Sequence, residues 1–255
     1  MTQGLVARLK SLPAARADFS EVLATSWVGT PAGELARRRV HLDGRSSVAL
    51  GDLCEVKGEP AGRIRFEGDF SRVDRLAAGL TEGEVVVDGS VGRDAGAGMA
   101  GGSLEIMGDA GSGAGGAAPE ARRGMTGGEL VVHGSVGSEA GRRMRRGLVV
   151  IGRDAGADAG FEMIAGSVII LGSATGEVGI WSKRGSIVAL GAVKIPITYR
   201  YACTYKPAYL RVMLRRLRTR YSLPLEERQL AGLYRRYSGD LADLGRGEIL
   251  AWSAE

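Results

Sequence analysis

Side chains able to do chemistry are few in this chain, and they are scattered. His41 and His133 are the only histidines, and Cys54 and Cys203 the only cysteines. No Cys/His spacing suited to zinc joins them. Neither a GxxxxGK[ST] phosphate loop nor a GxSxG nucleophile elbow occurs. Strings of the GxGxxG type do occur, but in so glycine-rich a chain they carry no nucleotide signal. Asp94 and Asp154, in Gly92-Arg93-Asp94-Ala95-Gly96 and Gly152-Arg153-Asp154-Ala155-Gly156, look like units of a calcium-binding glycine–aspartate repeat. Such repeats need a period of about nine residues with an aspartate in each unit. Ser138 and Thr175 stand in other units, so calcium is rejected. His133 ends a strand and is expected at the surface rather than as a base.

What remains is positive charge. Arg142, Arg143, Arg145 and Arg146 flank Met144, and counting from the methionines places Arg123 over Arg142 in the adjacent unit. A basic strip of this kind would attract an acidic partner or an anionic ligand, and a solvated corner is the plain alternative. Arg211, Arg215 and Arg218 form a second basic group near the C-terminus.

The elements that must carry these residues repeat. Val85-Val86-Val87, Leu104-Glu105-Ile106, Leu130-Val131-Val132, Leu148-Val149-Val150, Val168-Ile169-Ile170 and Ile187-Val188-Ala189 are aliphatic strands, each soon followed by glycine. Their first residues lie 19, 26, 18, 20 and 19 apart, and Met99, Met125, Met144 and Met163 form a parallel column. A period near 20 residues signals a solenoid, in which a unit buries its apolar face only by stacking on the next. Arg63-Ile64-Arg65-Phe66-Glu67 opens the series in degenerate form. Alternation puts the first and third strand positions inward, with methionine thioethers filling gaps between units. The middle positions Val86, Val131, Val149, Ile169 and Val188 then form an outward row too apolar for water. It should be covered by another chain or by this chain's own N-terminal segment. The wider spacing between Met99 and Met125 is assigned to a loop at Ser112–Pro119.

The expected fold is an all-β core: a right-handed parallel β-helix of about seven glycine-rich rungs over 61–193. A hexapeptide helix, which needs an aliphatic residue at every sixth position, fits less well. Residues 1–60 are expected as an irregular N-terminal segment and cap, with short strands at Val40–Asp43 and Val48–Leu50. Residues 194–255 are expected as a mainly helical basic tail, with helices at Ala208–Arg220 and Pro224–Tyr237. Glycine makes up 41 of 255 residues, but without the strict triplet of collagen, and 44% hydrophobic content excludes disorder. The charge is +5 and the pI about 9.4, a balance open to nucleic acid, acidic protein or anionic cofactor. Unpaired cysteines and the lack of an apolar leader or membrane-length run point to a soluble cytoplasmic protein.

The run GEVVVDGSVGRDAGAGMAGG at 83–102, with ELVVHGSVGSEAGRRM and SVIILGSATGEVG, resembles the glycine-rich β-helix shared by the glutamate synthase C-terminal domain and the C subunit of formylmethanofuran dehydrogenase. The flanks FEGDFSRVDRLAAGLTEGE at 66–84 and YRRYSGDLADLGRGEIL at 234–250 are similar to the C subunit of the formyltransferase/hydrolase complex of methylotrophic one-carbon metabolism. The resemblance covers about 40 to 255. It implies a hetero-oligomer with a zinc amidohydrolase-like subunit, a formyltransferase subunit and a further subunit, and neither nucleic acid nor a membrane as partner. That complex moves a formyl group from formyl-tetrahydromethanopterin to methanofuran or methylofuran and releases formate. The zinc would lie in a partner, and this chain would be a non-catalytic scaffold binding no cofactor firmly. The family's furan cofactor carries a polyglutamate tether, for which Arg123, Arg142, Arg143, Arg145 and Arg146 are the candidate guides. Two alternatives stand beside this: the C subunit of a molybdenum or tungsten formylmethanofuran dehydrogenase, and a free-standing β-helix binding module.

Overall fold

The computed structural model describes residues 4–23 and 26–253. In chain order the elements are β1 (Leu5–Leu9), β2 (Ala17–Asp18), α1 (Ala32–Leu35), β3 (Arg39–Leu42), β4 (Ser46–Ala49), α2 (Leu50–Leu53) and β5 (Cys54–Lys57). The repeat region holds β6 (Arg63–Glu67), β7 (Val73–Asp74), β8 (Glu84–Val87), β9 (Ser103–Ile106), β10 (Thr126–Val132), β11 (Arg146–Ile151), β12 (Ser167–Ile170) and β13 (Arg184–Ala189). The C-terminal part holds β14 (Arg200–Tyr205), α3 (Ala208–Tyr221), α4 (Glu227–Leu230), β15 (Leu233–Gly239) and β16 (Arg246–Ser253).

The protein is mostly β, around a 12-stranded sheet of order β14-β15-β16-β13-β12-β11-β10-β9-β8-β6-β1-β5. From β6 to β13 each repeat lays its strand parallel beside the one before. A second parallel ladder of single bridges joins Phe70, Val91, Ala110, Val136, Ala155 and Ala174, one per repeat. The inward row Ile64, Val85, Leu104, Leu130, Val149, Val168, Ile187 and Ile249 is fully buried, with the methionine column beside it. Burying each such aliphatic side chain stabilises by roughly 1.5–3 kcal/mol before entropy is subtracted.

This register corrects one strand. Leu130 pairs with Val149 and Val149 with Val168, so Val149 and Ile151 face inward while Leu148 and Val150 face outward. The methionines already held the reason: Met125, Met144 and Met163 are 19 apart, and a strand starting at Val149 keeps that period.

The flanks depart further from expectation. The N-terminal segment contributes β1, parallel to β6, and the antiparallel β2, β3 and β4; it is not irregular. The Pro224–Tyr237 helix is instead the short α4 followed by β15, and the tail is mixed rather than mainly helical. Leu233-Tyr234-Arg235-Arg236-Tyr237 satisfies either period, and pairing with β16 along its whole length decides for strand. β16 itself continues the parallel ladder beyond β13.

The outward row is covered by this chain's own C-terminal helix, not by its N-terminal segment. Leu210, Leu214, Leu217 and Tyr221 of α3 pack on Val131, Val150, Ile169, Val188 and Leu250. The side chain of Glu129 pins the helix, accepting from Tyr221 Oη at 2.8 Å and pairing with Arg216 and Arg220.

One glycine column shows why the repeats close. Gly96, Gly115, Gly141, Gly160 and Gly179 all have φ of 64–73°, a region that costs other residues strain. A Cβ on Gly160 would also lie 2.7 Å from Ile187 Cδ1. Gly160→Ala should therefore destabilise by about 2–4 kcal/mol, from left-handed strain plus overpacking. Calorimetry should show Tm falling by about 2–4 °C for each kcal/mol lost.

Candidate functional site

The five arginines do not form one strip. Arg123 lies in the inserted loop and not over Arg142, because the chain leaves the stack later than expected. Ala117 N–H still donates to Arg142 O, and Gly124 N–H to Arg143 O, so the excursion spans about 118–123. Arg142 Nη2 donates to Ala117 O at 2.6 Å, and its Nη1 pairs with Glu139 at 2.9 Å. Arg143 pairs with Glu162 of the next repeat. Arg142 and Arg143 thus tie the insertion and neighbouring repeats together. Arg123, Arg145 and Arg146 are exposed and make no ion pair among the described residues. In the tail, Arg215 and Arg218 pair with Glu227, and Arg211 is exposed.

A cleft of about 620 Å³ lies where the N-terminal strands meet the first repeats. Its wall is a charge network. Asp74 accepts from Arg16 at 2.6 and 2.9 Å, from the Arg93 side chain at 2.7 and 3.2 Å, and from Arg93 N–H at 2.8 Å. Asp18 pairs with Arg75 beside it. Burial pushes the Asp74 carboxyl up, but the hydrogen bonds from Arg16 and Arg93 outweigh it and hold the pKa at about 2. A carboxylate so deeply ionised is no proton shuttle at neutral pH; it fastens the N-terminal strands to the repeats. Burial raises Asp94 on the same wall, against the pull of Arg142.

His133 is half-buried on the face beneath α3, its Nε2 2.9 Å from Glu105 Oε1. Cys54 is buried, and desolvation pushes its thiol up to about 12, away from nucleophilic use. Cys203 is exposed. Among the described residues no three His, Cys, Asp or Glu side chains are grouped to hold a metal ion.

Asp94 and Asp154, alike in sequence, occupy different columns. Asp94 sits at a left-handed corner (φ 56°) with Arg75, Glu139 and Asp158. Asp154 belongs to a side-chain ladder that inspection of the motifs missed. Asp109 N–H donates to Ser90 Oγ at 3.0 Å, Ser135 N–H to Asp109 Oδ1 at 2.7 Å, and Asp154 N–H to Ser135 Oγ at 3.4 Å. Ser173 N–H then donates to Asp154 Oδ1 at 2.8 Å, and Ala192 N–H to Ser173 Oγ at 3.3 Å. The alternation Ser90, Asp109, Ser135, Asp154, Ser173 was legible, one residue before each bridge of the second ladder. Short acceptors at that corner bind the next repeat's backbone.

No protein-family model and no curated protein matches the chain. Among solved structures, it is similar over nearly its whole length to a chain in the X-ray crystal structure of the formyltransferase/hydrolase complex (FhcABCD) from Methylorubrum extorquens in complex with methylofuran. The two are 31% identical with a TM-score of 0.79, over 98% of this chain and 100% of that one. This chain belongs to the same family as that formyltransferase/hydrolase chain. No helix among the described residues is long and apolar enough to cross a membrane.

In this family member the Asp74 network has a pH signature. A depressed folded-state pKa contributes stability above the unfolded value, near 3.8, that is lost as pH falls toward about 2. Asp74→Asn should be less stable at pH 7 by about 2 kcal/mol, and the gap should close between pH 4 and pH 2. Urea midpoints of both proteins at pH 7, 4 and 2.5 measure it; a gap independent of pH would mean the carboxylate charge is not what matters.

Proposed function

We propose that this chain is a non-catalytic scaffold, the C-type subunit of a formyltransferase/hydrolase complex in one-carbon metabolism. The observation that carries the reading is full-length similarity at 31% identity to one chain of such a complex. The chemistry supports it. The only histidines pair with glutamates, one cysteine is buried, and the best-placed carboxylate is locked between two arginines. What the chain presents instead is a long stacked sheet closed on one face by its own helix. We read the stack as a right-handed parallel β-helix. Formyl transfer from tetrahydromethanopterin to the furan cofactor, and hydrolysis at zinc, are assigned to partner subunits that this scaffold holds at fixed separation. Guidance of the anionic tether falls to Arg123, Arg145 and Arg146, the exposed members of the basic group, through weak contacts that permit release.

Affinity purification of the chain from its native host tests the reading. Hydrolase-like and transferase-like subunits should co-elute with zinc, and recovery as a lone monomer would sink it. A molybdenum or tungsten centre in the co-eluting chains would point to the dehydrogenase instead. In the intact complex, Arg145→Gln with Arg146→Gln should slow turnover of the polyglutamylated cofactor by about two- to ten-fold, and added salt should have the same effect. Unchanged turnover would remove these arginines from tether guidance.

A further inference from the structure

The two edges of the 12-stranded sheet are built differently. At one end β5 is four residues long, with Glu55 and Lys57 on it and Lys10 beside it. Charges of this kind discourage further pairing. At the other end β14 pairs only with β15 among the described residues. Its centre, Tyr201-Ala202-Cys203-Thr204-Tyr205, carries no charge, and Arg200 to Thr204 are all exposed. A strand with an uncharged centre, open on its edge and exposed from Arg200 to Thr204, is a template for another strand.

Apolar side chains continue from this edge. Ile197 is 85% exposed and Tyr201 59%, with the Tyr201 ring set against Tyr237 at 6.0 Å. Exposed Leu241 adjoins them, its N–H donating to Thr198 O at 3.0 Å. Exposed Trp181 adjoins in turn, its N–H donating to Asp240 Oδ2 at 2.9 Å. Arg200 and Lys206 bracket the strand, Arg235 lies across from Thr204, and none of the three has an ion-pair partner among the described residues. The rim is basic and the centre apolar.

We propose that β14 is a strand-addition site for an extended, acidic segment of a partner subunit. Main-chain hydrogen bonds to the free edge would supply affinity, Ile197, Tyr201 and Leu241 would seat apolar side chains, and the basic rim would select carboxylates. A second copy of this chain is the wrong occupant. Antiparallel pairing centred on Cys203 would set Arg200 of each copy against Lys206 of the other, a like-charge contact. The inference rests on membership of a hetero-oligomer and names the surface that membership uses.

The exposed Cys203 is a built-in reporter at the centre of the strand, and the buried Cys54 is its control. Co-elution with partner subunits is scored first, on its own. Within the assembled complex, Cys203 should react with a maleimide at least about ten-fold more slowly than in the full chain expressed alone. Exchange of the amides at 200–205 should slow by a similar factor. Cross-linking through Cys203 should recover a segment rich in Asp and Glu. Arg200→Glu with Lys206→Glu should weaken assembly, while Arg200→Gln with Lys206→Gln should weaken it less. If partners co-elute but Cys203 stays reactive or the amides stay fast, strand addition is wrong and the scaffold reading stands. A basic cross-linked segment overturns it too, as does protection of Cys203 in the lone chain that grows with its concentration, which marks self-pairing. No co-elution at all overturns both.

Discussion

Everything in this protein depends on one constraint: a turn of about 19 residues buries its aliphatic strand only against the turns on either side. The row from Ile64 through Leu130 and Val149 to Ile187 and Ile249 is solvent-free because each member sits on the next in parallel register. Once that period is fixed, the corners follow. Left-handed glycines such as Gly160 turn the chain where a Cβ would strike the next row, and methionines fill what the aliphatics leave. The Ser/Asp ladder satisfies backbone donors at another corner, repeat by repeat, with the acceptor always supplied by the preceding turn.

A stack of this kind has two outer problems, its faces and its ends. The apolar outer face would be a liability in water, and α3 resolves it within the chain. Its closure is electrostatic as well as apolar, since Glu129 reaches from the sheet to Arg216, Arg220 and Tyr221 at the end of the helix. The ends are resolved unequally. The N-terminal strands close one end through the Arg16–Asp74–Arg93 network, whereas the other end finishes in β14, whose outer edge pairs with no strand among the described residues.

That distribution agrees with the scaffold role proposed for the chain. Titratable side chains with shifted behaviour are here consumed by structure: Asp74 accepts from two arginines, and Cys54 is desolvated. Perturbed groups often mark active sites, but ion-pair networks perturb them too, and only geometry separates the cases.

The sequence by itself determined the period, the all-β stacked core, the inward aliphatic and methionine columns, and the family, because these are local patterns repeated many times. It misplaced the strand at 148 by one residue, although the methionine spacing contained the remedy. Tertiary structure alone decided what covers the outer face, since an amphipathic helix such as α3 shows an apolar stripe without saying against what it lies. It likewise decided that Leu233–Gly239 is a strand, because the helical and extended periods both suit those residues and only the waiting edge of β16 chooses between them. It separated the arginines as well: whether Arg123 stands over Arg142 depends on where a loop leaves the stack, and that is set by which backbone groups find partners, not by counting residues.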